Sequence, residues 1–230
     1  MKRKSKYDST VELYRGAIPR AVVLGLIKRE SNFNPRATNR APNAPGGGPK
    51  IGLLQPSQTG LRDALEVSVV QESILKNSVH NIRIGTTILN DYWQKLRRDF
   101  PRGFAKPLSA DANAVAILVL AYSYGYSEIS SLMRKTRTTS YRQLANQNPT
   151  HPGVARQWPD RVLSAARRYG YTQILPAAAG GRRAGPNVLL PDVPPASAAA
   201  EEKQGSALPW LLGAAALGGL ALVLSRKKRR

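Results

Sequence analysis

The chain of 230 residues contains no cysteine. That excludes disulfides, thiolate nucleophiles and cysteine-ligated zinc, although it identifies no compartment. Histidine is almost as scarce: His80 and His151 are the two present, and they lie far apart. With no His-x-x-x-His spacing and no paired acidic ligands, neither a metal nor another cofactor is expected. Neither histidine is matched by a G-x-S-x-G segment, so a serine–histidine triad is not supported. Strand-like alternation is rare, and no repeat is visible at a period of 20 to 50 residues.

Acidic residues are few, 14 against 35 Lys and Arg, which leaves a net charge of +21. Part of this excess is terminal, in Lys2, Arg3, Lys4 and Lys6 at one end and RKKRR, Arg226 to Arg230, at the other. With those nine set aside, 26 basic residues still face 14 acidic ones, a balance of +12. Such a field draws a protein towards polyanions: nucleic acid, anionic lipid or an anionic cell wall. General solubility is the plain alternative, and charge alone does not choose among them. The cations are scattered instead of forming one helical stripe, and no nucleic-acid-binding motif accompanies them, so nucleic acid is not the expected partner.

The composition, 42% hydrophobic and 21% charged, suits a folded domain with appendages. Five segments are expected. Residues 1–9 form a basic arm and 10–172 the folded domain. Residues 173–207, rich in Pro, Ala and Gly (AAAGG, LLPDVPP, ASAAA), read as an extended tether. Residues 208–225, LPWLLGAAALGGLALVLS, carry no charge over 18 positions and open with an interfacial-type Trp210, as a short transmembrane helix would. Residues 226–230 are its basic tail. A buried soluble helix fits this span less well, because five consecutive cations come directly after it.

Within residues 10–172 the periodicity predicts a mostly α fold. A helix is expected over about Ile18 to Asn32, with Pro19 in its first turn. Another is expected near Asn81 to Asp99, with Ile84, Ile88, Tyr92 and Leu96 on one stripe. A third, about Ala110 to Tyr124 (with ANAVAILVLAY), is apolar nearly all round and should be the central, buried one. Tyr141 to Ala145 and Pro159 to Tyr169 suit further helices.

The candidate chemistry begins at Glu30. On a helix, Val23, Leu26 and Ile27 share its face. A carboxyl ending an apolar stripe is partly desolvated, which raises its pKa and favours the protonated form a general acid needs. A glutamate near a helix end that simply points to water fits the same residues, and taken alone it is the commoner case.

The segments downstream of Glu30 shift that balance. Glu30-Ser31 leads into Asn34-Pro35-Arg36-Ala37, a loop with three consecutive glycines, and Ile51-Gly52-Leu53-Leu54-Gln55. Asn81-Ile82-Arg83-Ile84-Gly85-Thr86 and Ala121-Tyr122-Ser123-Tyr124-Gly125 come later, then WPDRVLSAARRY from Trp158. This ordered set resembles the soluble lytic transglycosylase family, a branch of the lysozyme superfamily. Its marks are a Glu-Ser pair ending a helix, Gly-Leu-Met-Gln, an Asn-Ile-x-x-Gly helix and Ala-Tyr-Asn-Ala-Gly. The resemblance covers about residues 18 to 170 and implies a lysozyme-like helical domain. It implies cleavage of the β-1,4 bond from N-acetylmuramic acid to N-acetylglucosamine without water, leaving a 1,6-anhydro end. By the same resemblance Glu30 is the single acid/base, Ser31 sits beside it in the cleft, and Gln55 lines the sugar subsites. Tyr122 hydrogen-bonds near the carboxyl and helps to orient it.

One feature of the residues agrees with a single carboxylate. Ordinary glycosidases flank the bond with two, yet no acidic residue occurs from Ser31 through Arg62, and Asp63, Glu66 and Glu72 lie further on. A hydrolase using one of those as a distant partner is the rival enzyme reading. The chain also departs from the family pattern. Pro56 comes at once after Gln55, which is expected to reshape the sugar-facing turn, and Tyr124 and Tyr126 bring two extra rings. Those rings suit sugar stacking and core filling equally. PNAPGGGPK, Pro42 to Lys50, reads as a flap or spacer instead of a phosphate cradle, since it leads into no Gly-Lys-Ser/Thr.

The first 16 residues contain no run of seven apolar ones, so no ordinary secretory signal is expected. A tail anchor ending in RKKRR favours a cytoplasmic C-terminus. The expected setting is therefore the membrane of a bacteriophage virion, with the enzyme opening the wall at entry, or else a bacterial envelope. Glycan strands are the expected partner, together with the membrane and with virion or envelope-complex proteins. The other class of function is a basic, membrane-tethered structural or nucleic-acid-organising protein whose lysozyme-like domain is an inactive scaffold.

Overall fold

A computed structural model describes residues 3–40, 48–147 and 152–175, without the side chains of 152–156. Their order is α1 (Asp8–Tyr14), α2 (Arg20–Ser31), β1 (Thr38–Asn39), β2 (Lys50–Ile51), α3 (Gln58–Leu65), α4 (Glu72–Lys76) and α5 (Ser78–Asp99). A 3-10 turn at Leu108–Ala110 then leads into α6 (Ala112–Tyr124), α7 (Tyr126–Thr136), α8 (Tyr141–Gln147) and α9 (Pro152–Arg167). The fold is mostly helical, as the periodicity predicts. The first three residues of the expected tether are described, and Leu175 among them is buried in the core instead of belonging to an extended tether. The rest of the tether (176–207), the expected transmembrane helix at 208–225 and the basic tail lie outside the described residues. Among the described residues, no helix is long and apolar enough to cross a membrane.

Helix α6 is the centre of the core. All of its residues except Asn113 are buried, so a helix apolar on every side finds protein on every side. It packs against α9, α7 and α5. Asp111 caps its start by accepting a hydrogen bond from Ala114 N at 2.9 Å, which places the boundary two residues later than Ala110. Helix α5 begins earlier than Asn81 for the same kind of reason. Asn77 accepts from Val79 N at 3.0 Å and His80 N at 3.1 Å and starts the helix at Ser78. Its predicted stripe is largely realised: Ile88, Tyr92 and Leu96 are fully buried, with Ile84 partly so.

Helix α2 lies most extensively on α9. The two backbones approach so closely at Gly25 that a Cβ there would meet Val162 O at 2.8 Å and Ala166 N at 2.9 Å. Pro19 stands just before α2, with extended ψ of 130°, instead of inside its first turn. Helix α9 in turn starts seven residues before the expected Pro159 and carries that proline in its interior. Two residues of the expected basic arm, Tyr7 and Asp8, join the body. Tyr7 is buried and stacks on Phe33, and Asp8 pairs with Arg20 at 2.6 Å.

Candidate active site

Glu30 is the penultimate residue of α2. Val23, Leu26 and Ile27 are fully buried, so the expected apolar face is present and the carboxyl stands at its end. Glu30 itself is half-buried, and protein surrounds it closely enough for desolvation to dominate its titration. Burial pushes its pKa up to about 7, opposed by the positive charges of Lys50 and Arg29. The carboxyl is therefore poised to give or take a proton near neutrality, the range that suits a group doing both. Ser31, the last residue of the helix, is buried, and its hydroxyl donates back to Ile27 O at 3.0 Å.

The chain leaves α2 through two consecutive left-handed residues, Asn32 (φ 50°) and Phe33 (φ 65°). Asn34 builds the next turn, its side-chain oxygen accepting from Arg36 N at 2.9 Å. Strand β1 then pairs antiparallel with β2, Thr38 opposite Ile51 and Asn39 opposite Lys50. This short hairpin carries Lys50 back to Glu30. Lys50 is 7% exposed, burial holds its pKa below the usual lysine value, and the Glu30 charge opposes that shift. In the sequence Lys50 is no more than the last residue of a glycine-rich loop, and nothing there marks it as a site residue. Most of that loop, 41–47, lies outside the described residues, whereas Lys50 itself is a buried cation beside the candidate acid.

Beyond the hairpin the backbone passes under Asn81. Gly52 adopts φ +88°, and a Cβ there would lie 2.2 Å from both Asn81 Nδ2 and Leu75 O, so only glycine fits. The Asn81 side chain accepts from Leu54 N at 2.8 Å and donates to Ile51 O at 2.9 Å and Leu75 O at 2.8 Å. One buried amide thus fixes the hairpin end, the α4 end and the turn beyond them. At that turn Gln55 is buried in the left-handed region with φ 47°, a conformation a non-glycine residue keeps only when its surroundings enforce it. Pro56 is buried, and Ser57 caps α3 by accepting from Gly60 N at 3.0 Å.

Tyr122, on α6, closes the arrangement. Its hydroxyl donates to Leu54 O at 2.9 Å. It is pushed well above the ordinary tyrosine pKa, first by burial and then by the Glu30 charge. Tyr122 is therefore a neutral neighbour of the carboxyl whose proton is committed to the turn before Gln55. Glu30, Lys50, Tyr122 and the Leu54-Gln55 turn form one cluster built from α2, β2, the β2–α3 connection and α6. Tyr124 and Tyr126 are buried, and the Tyr126 hydroxyl donates to Asp99 at 2.6 Å. Both rings are thus core residues in this structure.

The family model described as the Transglycosylase SLT domain matches residues 10–145, more than half of the chain and a span containing Glu30, Ser31, Gln55 and Tyr122. No curated protein matches the chain in sequence. Among solved structures, the 70 kDa soluble lytic transglycosylase of Escherichia coli matches with a TM-score of 0.47 and 18% identity. That match covers 72% of this chain, which spans 24% of the length of the E. coli chain.

Proposed function

The chain belongs to the transglycosylase SLT family, and from that premise we propose that it is a peptidoglycan lytic transglycosylase with Glu30 as its single acid/base. The observation that carries the reading is the carboxyl of Glu30, ending an apolar helix face, with a pKa raised to about 7 by desolvation. A glycan strand placed with its glycosidic oxygen at this carboxyl receives the Glu30 proton as the bond from C1 to that oxygen breaks. The carbonyl oxygen of the substrate's own N-acetyl group bonds to C1 and carries the positive charge as an oxazolinium. The ionised Glu30 then takes the proton of the C6 hydroxyl while O6 attacks C1 and the acetamido oxygen leaves. Glu30 is protonated again, the muramyl end is a 1,6-anhydro sugar, and no water is consumed. Under this reading Gln55, on its enforced turn, and Ser31, beside the acid, border the sugar subsites, and Tyr122 fixes the turn next to the carboxyl.

Mass spectrometry of murein digested by the full chain and by Glu30→Gln tests this. Muropeptides one water lighter than hydrolase products, lost with Glu30→Gln, are the expected result. Full-mass reducing ends would point to hydrolysis with a second carboxylate, and activity surviving in Glu30→Gln would remove Glu30 from the mechanism.

The proposed setting is a virion or envelope membrane, entered through residues 208–225, where the enzyme would open the wall locally, as in phage entry. The run of 18 uncharged residues ahead of RKKRR supports it. Failure to find the chain in purified particles would end the virion form of this proposal.

A further inference from the structure

A lysine is an expensive residue to bury, and Lys50 is 7% exposed. Among the described residues it makes no direct ion pair within 4.0 Å, although nine such pairs occur elsewhere. Glu30 is the acidic group whose charge acts on it. Its position is fixed from two sides. The β1–β2 pairing sets it opposite Asn39, and the next residue, Ile51, has its carbonyl held by Asn81 at 2.9 Å. The ammonium is thus kept near the carboxyl without touching it. Three groups with charge or a titrating proton interact electrostatically with Glu30: Arg29 from its own helix, Lys50 from β2 and Tyr122 from α6. Tyr122 is neutral at working pH, and Arg29 is exposed, where water screens a charge. Lys50 is the buried cation of the three.

We infer that Lys50 is a positioning residue for the reaction, a buried cation held by the hairpin to stabilise the carboxylate that Glu30 becomes when its proton leaves. This rests on the reading of Glu30 as the acid. A cation beside a forming oxocarbenium opposes it, so the benefit of Lys50 comes through Glu30. As the glycosidic oxygen takes the proton, a negative charge appears on a desolvated carboxyl, and a fixed positive charge nearby costs no reorganisation at that moment. With little surface of its own, Lys50 is poorly placed to bind a substrate carboxylate instead. Removing it leaves Glu30 a weaker acid that also stays protonated to higher pH.

The test is the pH dependence of murein cleavage by the full chain and by Lys50→Met, Lys50→Arg and Glu30→Gln. In Lys50→Met the low-pH plateau of kcat/KM is expected to fall about tenfold or more, while the alkaline limb moves up by roughly one pH unit. Lys50→Arg should return the limb towards its original position. A structural defect alone would lower the plateau and leave the limb in place. A Lys50→Met limb that does not move, with Glu30→Gln inactive, overturns this inference and spares the catalytic reading; an active Glu30→Gln removes both. Should Lys50→Met fail to fold, Lys50→Gln and a 13C titration of the Glu30 carboxyl read the same shift without turnover.

Discussion

The side-chain oxygen of Asn81 accepts the backbone N–H of Leu54 at 2.8 Å, while its amide group spans the carbonyls of Ile51 and Leu75. All three bonds are buried, and they join the strand that carries Lys50 to the turn that carries Gln55. Loss of this one side chain would strand one donor and two acceptors. Each unsatisfied buried group costs about 1–3 kcal/mol, so Asn81→Ala is expected to destabilise by about 3–5 kcal/mol, read from urea unfolding. Asn81→Asp discriminates further. Its carboxylate can accept from Leu54 but donate to neither carbonyl, so its folded-state pKa should rise above the unfolded value. Relative to the parent, its stability should be least impaired at low pH and decline as pH rises through the folded pKa. A flat profile would show that the two donated bonds matter little.

Gly85 illustrates why a helix former is not always welcome in a helix. Gly→Ala inside α5 would ordinarily gain about 1 kcal/mol from propensity. Here the added methyl would lie 2.5 Å from Leu54 Cδ1, 2.8 Å from Leu54 Cβ and 3.0 Å from the Tyr122 hydroxyl. Overpacking costs about 1–3 kcal/mol and wins over propensity. Gly85→Ala should lower the melting temperature and also the turnover, because the displaced atoms form the turn beside the acid. An unchanged or higher melting temperature would mean that Leu54 yields freely.

The long elements are legible in the sequence because their burial repeats over several turns. Ile88, Tyr92 and Leu96 give α5 its stripe, and the unbroken apolar run of α6 marks the helix that neighbours cover on all sides. The caps are written there too: Asn77 and Asp111 set the starts of α5 and α6 and move them off the boundaries that hydrophobic periodicity predicts. Helix α7 is absent from the sequence-based expectation, although Tyr126, Ile129 and Met133 are spaced to share a face. Helices α1, α3 and α4, of five to eight residues, are too short for periodicity to show. The same limit hides Lys50. Strands of two residues have no alternation to read, and a lysine after a Gly-Pro run looks like solvent-exposed loop until the hairpin turns it inward.

Tyr122→Phe separates the hydroxyl from the ring. Leu54 O would lose its donor, at a cost of about 1–3 kcal/mol, whereas the packing of α6 would remain. Cleavage is expected to fall on the order of ten- to a hundredfold, since small displacements beside the reacting group are costly. The pH at which the alkaline limb falls should change little, because the neutral phenol carries no charge to remove. A large movement of that limb would instead indicate a direct bond from Tyr122 to Glu30 during turnover.

Glu30 should be a site where activity and stability conflict. Its carboxyl titrates near 7 in the folded chain against an ordinary value of 4.5, so the folded state holds its proton more tightly than the unfolded state does. The contribution of Glu30 to stability is therefore greatest below about pH 4.5 and is lost as pH rises through about 7, where the carboxyl must be charged in a desolvated place. The full difference corresponds to a penalty of up to about 3 kcal/mol above that range. Glu30→Gln, neutral at every pH, escapes the penalty but leaves Lys50 buried without its charge partner, so the net gain is smaller. The expected result is an inactive variant that unfolds at higher denaturant concentration than the parent at pH 8.5, with the advantage shrinking steadily towards pH 4. A difference that is the same at both pH values would show that the Glu30 carboxyl is hydrated like any surface glutamate, and the case for a desolvated acid would fall with it.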